Sequence, residues 1–423
     1  MEKFLIYGNT RLSGEVSIGG AKNAALPIIA ATLLVKGVTT LNNVPDISDI
    51  ENLCEILECL GVHIQRTEQH TLVIDATRLK TTHAPLDLTS RFRASYYLLG
   101  SLIGRLGKGE VGMPGGCAIG QRPIDQHIKG FEALGCTVDT THGKIAVKSK
   151  KLEAATIYFD VVSVGATINN ILAAALIPGT TTLYNVAKEP HVVDVANFLN
   201  SVGADIVGAG TDQIIINGVK SLKKNCTYSI VPDQIECGTF MIAAAATHGD
   251  VIIKNCIPEH MDSLTAKLIE MGVTVESEND TIHVTCNKRL TPTNITTLPY
   301  PGFPTDLQSP MGVLLSIADG TGIITESVWE SRFQYVDELN KLGADISVSN
   351  STAVFNGVEK LYGAPIYASD LRAGAALIIA ALVATGYSEL YNIHYIDRGY
   401  ERIEEKFKQL GARIERLDEE EEI

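Results

Sequence analysis

Leu53-Cys54-Glu55-Ile56-Leu57-Glu58-Cys59-Leu60-Gly61-Val62-His63-Ile64 is the phrase on which the fold turns. Leu53, Ile56, Leu57 and Leu60 follow the i, i+3, i+4, i+7 spacing of a helix with one buried face. Gly61 comes directly after the last apolar residue, where a left-handed helix C-cap needs a residue without a side chain. Val62-His63-Ile64 then alternates as a half-buried strand does. The phrase returns at Leu134-Gly135-Cys136, Val202-Gly203-Ala204, Met271-Gly272-Val273, Leu342-Gly343-Ala344 and Leu410-Gly411-Ala412. Copies about 70 residues apart exceed the usual solenoid period.

Most copies carry a second helix of another kind, apolar nearly all round and rich in alanine: Ala24–Leu34, Ala166–Ile177, Phe240–Thr247 and Ala373–Ala384. Such a helix is buried on every side, and its small residues let neighbours approach closely. A glycine and a short strand follow, as in Lys36-Gly37-Val38, Pro178-Gly179-Thr180, His248-Gly249-Asp250 and Thr385-Gly386-Tyr387. Each copy therefore reads as strand, buried helix, strand, amphipathic helix, strands. Six of them make two α/β domains of three units, with buried helices surrounded by sheets and outer helices. The first strand, Phe4–Tyr7, precedes the first full unit and can complete the last one. The boundaries expected are 22–230 for one domain, with 1–21 and 231–423 together forming the other. A crevice between two such halves is the default ligand site.

Composition narrows the function. At 423 residues the chain is too long for one ordinary core. Its 45% hydrophobic and 20% charged residues are ordinary globular material. The net charge of −14 argues against nucleic acid as a partner, so an anionic ligand would need a local cluster of Lys and Arg. Eight cysteines without CxxC pairs or a Cys/His cluster point to free thiols in a reducing cytoplasm, with no metal and no cofactor. The N-terminus lacks a signal-peptide layout, and no apolar run reaches the roughly 20 residues that span a bilayer, so no membrane is expected.

Against that background one loop stands out, Pro114-Gly115-Gly116-Cys117-Ala118-Ile119-Gly120-Gln121-Arg122-Pro123, with an amphipathic helix starting near Asp125. Glycines let backbone approach a ligand. A thiol beside fixed positive charge and a helix start has a lowered pKa and becomes reactive. A glycine turn around a spare buried cysteine is the plainer alternative.

These residues resemble the UDP-N-acetylglucosamine 1-carboxyvinyltransferase family of enolpyruvyl transferases, over essentially the whole length. The resemblance is carried by Gly20-Ala21-Lys22-Asn23-Ala24, the Cys117 loop, Ser163-Val164-Gly165-Ala166-Thr167 and Pro232-Asp233-Gln234-Ile235-Glu236. It continues at Pro304-Thr305-Asp306-Leu307-Gln308, Glu330-Ser331-Arg332 and Asp397-Arg398-Gly399-Tyr400-Glu401. It implies the two-domain inside-out α/β barrel of that superfamily, with the active site in the cleft between the domains. It also implies transfer of the enolpyruvyl group of phosphoenolpyruvate to the 3′-hydroxyl of UDP-N-acetylglucosamine with release of phosphate. That is the first committed step of peptidoglycan synthesis, which ties the activity to cell-wall growth, cell shape and division.

The roles are implied residue by residue. Lys22 and Asn23 contact phosphoenolpyruvate, with Arg122 and Arg398 on its phosphate side and Arg332 and Arg372 reaching anionic groups from the second domain. A lysine entering an apolar helix is costly unless it meets an anion, although it can also snorkel to the surface. Cys117 donates a proton to C3 of phosphoenolpyruvate, can form an adduct with it, and is the residue alkylated by the epoxide antibiotic fosfomycin. Asp306 is the base on the sugar hydroxyl, and its plainer role is to cap the buried helix that follows. Asp233 and Glu236 open the preceding buried helix, where capping or support of the active loop is their expected task. The nucleotide sugar falls to Arg93, Arg122, Pro123, Ile124, Asp125, Gln126, Ser163, Val164, Gly165, Asp306 and Val328. Ser163–Gly165 precede a helix and offer backbone N–H groups to a diphosphate, as a simple N-cap also would. Many relatives carry a lysine where Val161 stands here. Trp329 and Tyr97 are expected to preserve packing, and Glu189 and His127 to support the site. Two other readings share this fold: transfer to shikimate 3-phosphate, which the Cys117 loop opposes, and an idle UDP-sugar-binding paralogue. The idle paralogue has no need of Lys22, Cys117, Asp306 and Arg398 together.

Overall fold

The six Gly residues of the recurring phrase all adopt positive φ: Gly61 +98°, Gly135 +86°, Gly203 +100°, Gly272 +90°, Gly343 +93° and Gly411 +93°. The computed structural model describes residues 2–90, 93–113 and 124–418, and only the backbone of Arg93. Each glycine ends an outer helix and turns the chain into a strand, as at Ser48–Cys59 before His63–Glu68 and at Ile403–Gln409 before Ile414–Asp418. Leu53, Ile56, Leu57 and Leu60 are fully buried, each contributing about 1.5–3 kcal/mol through removal from water.

The space around Gly411 is open, so a methyl group there would meet nothing. Gly411→Ala therefore isolates the backbone cost of this conformation, and we expect a loss of about 1–2 kcal/mol in denaturant unfolding. An unchanged midpoint would show that the turn can relax away from positive φ.

Among the described residues, six apolar helices form the interiors: Lys22–Ala31, Tyr97–Leu106, Val164–Ala174, Gln234–Ala246, Gln308–Ser316 and Leu371–Val383. The first is shorter than its apolar run suggests. It tightens into a 3-10 turn over Thr32–Leu34, where the Thr32 hydroxyl donates to the Ile29 carbonyl at 2.6 Å. Close approach of the second and third of these helices depends on Gly100, where an added Cβ would lie 2.5 Å from the Asn169 carbonyl oxygen.

The sheets repeat one plan. Thr156–Tyr158 runs parallel to Gly179–Tyr184, which pairs antiparallel with Gln213–Gly218, itself antiparallel to Asp205–Val207. Asn294–Thr296, Thr321–Thr325, Thr352–Asn356 and Asp345–Ser349 are arranged identically. In each, a buried helix is the crossover that a parallel pair requires. One copy, Lys108–Gly112 with Lys144–Lys148 and Thr137–Asp139, keeps only a parallel bridge, His83 to Glu110, in place of its first strand.

The chain divides into two compact units. The described residues between Gly20 and Val231 supply one, closed when its last strand, Asn225–Ser229, joins Val38–Asn42 in parallel. Residues up to Gly19 and from Pro232 onward supply the other. There Glu2–Tyr7 lies between Tyr387–Tyr391 and Ile414–Asp418, so the N-terminal strand completes the last copy. Each unit has its own hydrophobic core. No helix among the described residues is long and apolar enough to cross a membrane.

Candidate functional site

Lys22 opens the first buried helix of the 20–231 unit and is itself buried. Its Nζ lies 2.7 Å from Asp49 Oδ2, and Asp49 is only 3% exposed. The lysine is therefore neither snorkelling nor uncompensated, because a buried cation is held by a buried anion. Asn23, next in the helix, is half-buried. Arg93 begins the 3-10 turn Arg93–Tyr96.

Ile124 precedes the helix Asp125–Ala133. Gln126, 5% exposed, donates to Asp125 Oδ2 at 2.8 Å and Asp160 Oδ2 at 3.2 Å, and its Oε1 accepts from the Asp160 N–H at 2.9 Å. This clamp fixes the approach to Ser163, whose Oγ accepts from the Ala166 N–H at 3.3 Å and caps the helix Val164–Ala174. A side chain at Gly165 would strike the His127 ring, 2.9 Å from where its Cβ would stand. His127 Nδ1 is 2.9 Å from Asn169 Nδ2. Glu189 stands just before the helix Pro190–Ser201, and Tyr97 begins the second buried helix. Val161 is exposed; one residue earlier, Asp160 holds Lys129 at 2.7 Å.

In the other unit, Asp306 lies in the 3-10 turn Thr305–Leu307 that leads into Gln308–Ser316. Arg332 Nη2 donates to its Oδ1 at 2.9 Å, and Arg372 Nε and Nη2 donate to its Oδ2 at 3.2 and 3.0 Å. Both guanidiniums are about 95% buried. The capping role is not filled: that helix has no side-chain cap, and Thr305 donates to Glu326 instead. Asp370 caps the last buried helix by accepting from the Arg372 and Ala373 N–H groups, and so fixes the backbone of Arg372. Burial alone would pull the Arg372 guanidinium down, but Asp306, Tyr400 and Asp233 outweigh it and hold it above its ordinary value. Its Nη1 is buried and finds no hydrogen-bond partner among the described residues.

Tyr400 lies under Arg372, ring centroid to guanidinium 5.4 Å, and shares a 2.8 Å hydrogen bond with Thr239. Asp233 caps the Thr239-bearing helix through the N–H groups of Ile235 and Glu236. Burial raises the Glu236 carboxyl despite Lys406 Nζ at 2.6 Å. Arg398 ends the turn Ile393–Arg398, and its neighbour Asp397 is held bidentate by Arg416 at 2.6 and 3.1 Å. The Val328 N–H donates to Glu326 at 2.8 Å.

Cys117, Arg122 and Pro123 lie outside the described residues. The structure thus joins Asp306, Arg332 and Arg372 into one cluster and gives Lys22 an acidic partner. Asp49, Asp160, Glu326 and Asp370 were not singled out by sequence reasoning. Asp370 has the sequence context of an N-cap; the others carry no local signal that separates them from surface acids. Among the described residues, no group of His, Cys, Asp and Glu is placed to hold a metal ion. What the cluster can do is bind an anion through two guanidiniums and offer a carboxylate as base.

The EPSP synthase (3-phosphoshikimate 1-carboxyvinyltransferase) family profile matches residues 6–407. The chain is 56% identical to UDP-N-acetylglucosamine 1-carboxyvinyltransferase 2 of Clostridium acetobutylicum, covering 98% of this chain and 99% of that protein. It is 54% identical to UDP-N-acetylglucosamine 1-carboxyvinyltransferase 3 of Caldanaerobacter subterraneus, over 99% of this chain and 100% of that one. Among solved structures, the enolpyruvyl transferase NikO from Streptomyces tendae is similar, with TM-score 0.89, 28% identity, and 98% and 99% of the two chains covered. EPSP synthase from Acinetobacter baumannii shares the fold, with TM-score 0.77, 18% identity, and 99% and 100% covered.

Proposed function

Because the chain belongs to the EPSP synthase family of enolpyruvyl transferases, we propose that it moves the enolpyruvyl group of phosphoenolpyruvate onto the 3′-hydroxyl of UDP-N-acetylglucosamine. The observation that carries this reading is the 56% identity over nearly the full length of a UDP-N-acetylglucosamine 1-carboxyvinyltransferase. The enzyme acts in the cytoplasm, and the free thiols among its described cysteines suit a reducing compartment. It needs no cofactor.

The reaction is addition followed by elimination. Asp306 takes the proton of the sugar hydroxyl as its oxygen bonds to C2 of phosphoenolpyruvate, while Cys117 delivers a proton to C3. In the resulting ketal C3 is a methyl group. Loss of one of its protons and cleavage of the C2–O bond to phosphate restore the double bond. Lys22, Asn23, Arg122 and Arg398 hold the phosphate, and Arg332 and Arg372 take the substrate's remaining anionic groups. Arg93, the 122–126 segment, Ser163–Gly165 and Val328 receive the nucleotide sugar.

The Asp306 cluster links binding to the availability of the base. Arg332 and Arg372 occupy both oxygens of the free carboxylate. An anionic substrate that draws on those guanidinium donors leaves the carboxylate to accept from the sugar hydroxyl instead.

The test is phosphate release from phosphoenolpyruvate. We expect release with UDP-N-acetylglucosamine and none with shikimate 3-phosphate. Release with shikimate 3-phosphate alone would move the reading to that acceptor, and silence with both would favour the idle UDP-sugar binder.

A further inference from the structure

Glu326 directly follows the strand Thr321–Thr325 and is 2% exposed. Its Oε1 accepts from Thr297 Oγ1 at 2.6 Å, the Val328 N–H at 2.8 Å and the Trp329 N–H at 3.2 Å. Its Oε2 accepts from Thr305 Oγ1 at 2.9 Å. Thr297 is itself buried, and its hydroxyl also accepts from the Ser327 N–H at 3.0 Å. Three separate segments converge on one carboxylate.

Burying a carboxylate is expensive, and an apolar side chain of similar volume is often no worse for stability. Charge-assisted hydrogen bonds offer geometry in return, being short and directional. Here they end on segments that carry the site. Thr305 is the residue before Asp306. Val328 and Trp329 lead into Arg332, whose guanidinium meets Asp306 Oδ1 at 2.9 Å. Glu326 thus holds both ends of the Asp306–Arg332 pair through bonds to neighbouring residues.

We propose that Glu326 is a positioning residue, which sets Asp306, through Thr305, against the turn of Val328 and Trp329. This rests on the reading of Asp306 as the base. A misplacement near 1 Å can cost about a hundredfold in rate, so a small rotation of the Thr305–Leu307 turn is enough to matter.

The chain holds a single tryptophan, Trp329, and its backbone N–H is one of the groups bound to Glu326, so its fluorescence reports on the clamp without reference to turnover. The test uses the full-length protein with Glu326→Leu, Glu326→Gln and Thr305→Val, measuring phosphate release, thermal unfolding and acrylamide quenching of Trp329. In Glu326→Leu we expect kcat to fall about a hundredfold, with KM for phosphoenolpyruvate within about twofold and Trp329 more readily quenched. Glutamine keeps one oxygen for the Val328 and Trp329 N–H groups and can donate to the Thr305 hydroxyl, so Glu326→Gln should recover about tenfold. Thr305→Val cuts only the Asp306 arm: kcat falls about tenfold while Trp329 quenching stays at the parental level.

Parental kcat in folded Glu326→Leu or in Thr305→Val would overturn the proposal, as would losses confined to the melting temperature. Should Glu326→Leu fail to fold, Thr305→Val decides. A parent chain that releases no phosphate with UDP-N-acetylglucosamine defeats the functional reading instead. In that case unchanged Trp329 quenching in folded Glu326→Leu would sink the clamp itself, and a rise would sustain it.

Discussion

Asp306→Asn lowers kcat for phosphate release by about 10²–10⁴-fold, the range that a positioned general base contributes, while the protein remains folded. The substitution keeps the shape of the side chain and one oxygen. That oxygen can still accept from Arg332 or from Arg372, but the amide's N–H groups must then face the other guanidinium. Breaking a fully buried ion pair costs about 3–5 kcal/mol. The Asp306 side chain is 26% exposed, so water offsets part of that loss. We therefore expect a lower melting temperature and a protein that still binds UDP-N-acetylglucosamine. Steady-state rates at saturating substrates, beside equilibrium binding of the nucleotide sugar, separate the two effects. A kcat within tenfold of the parent would remove Asp306 from the base role and leave it as an ion-pair centre for Arg332 and Arg372.

Cys117→Ala should lose phosphate release by a similar factor, since alanine has no proton to give to C3. Cys117→Asp is the more informative partner. A carboxyl group can serve as the acid, so turnover should persist within about tenfold, whereas alanine costs at least about a hundredfold. The thiolate is the soft nucleophile that opens an epoxide, so the parent should be inactivated irreversibly by fosfomycin and Cys117→Asp should not. Time-dependent loss of activity, followed by dilution, measures this directly. Inactivation of Cys117→Asp at the parental rate would place the alkylated group elsewhere.

The fold was legible because its decisive signal is local. The helix stripe and terminal glycine of Leu53–Gly61 recur in six places, and a C′ glycine needs no distant partner to be recognised. The second pairing of Glu2–Tyr7 was also within reach, since a lone strand before the first full unit has to find a sheet. Helix limits were less legible. Ala24–Leu34 reads as one apolar run, yet the chain tightens at Thr32, whose hydroxyl bonds back to Ile29.

The site divides in the same way. Asp233 and Ser163 sit where local capping rules put them, and both cap. Lys22 was conspicuous as a charge entering an apolar helix, but its partner Asp49 reads in sequence like any acid in a first helical turn. Glu326 is more opaque still. Its donors come from residues 297, 305, 328 and 329, and only the folded strands bring the first two to it. Long-range polar partnership leaves no periodicity behind, which is why buried acids are the part of a site that sequence patterns conceal.

The threading of the first strand has a consequence for how the protein is made. Glu2–Tyr7 is translated long before the strands that flank it, Tyr387–Tyr391 and Ile414–Asp418. At 5–20 residues per second, roughly 400 residues of waiting correspond to about 20–80 s. During that interval the unit from Gly20 to Val231 holds all its own strands, including the closing Asn225–Ser229, and can fold while the nascent chain is still growing. The strand Glu2–Tyr7, with Phe4 and Ile6 destined for full burial, has no sheet to join until Tyr387–Tyr391 has been made. Its unpaired edge is exposed throughout that interval, which is when a chaperone would protect it.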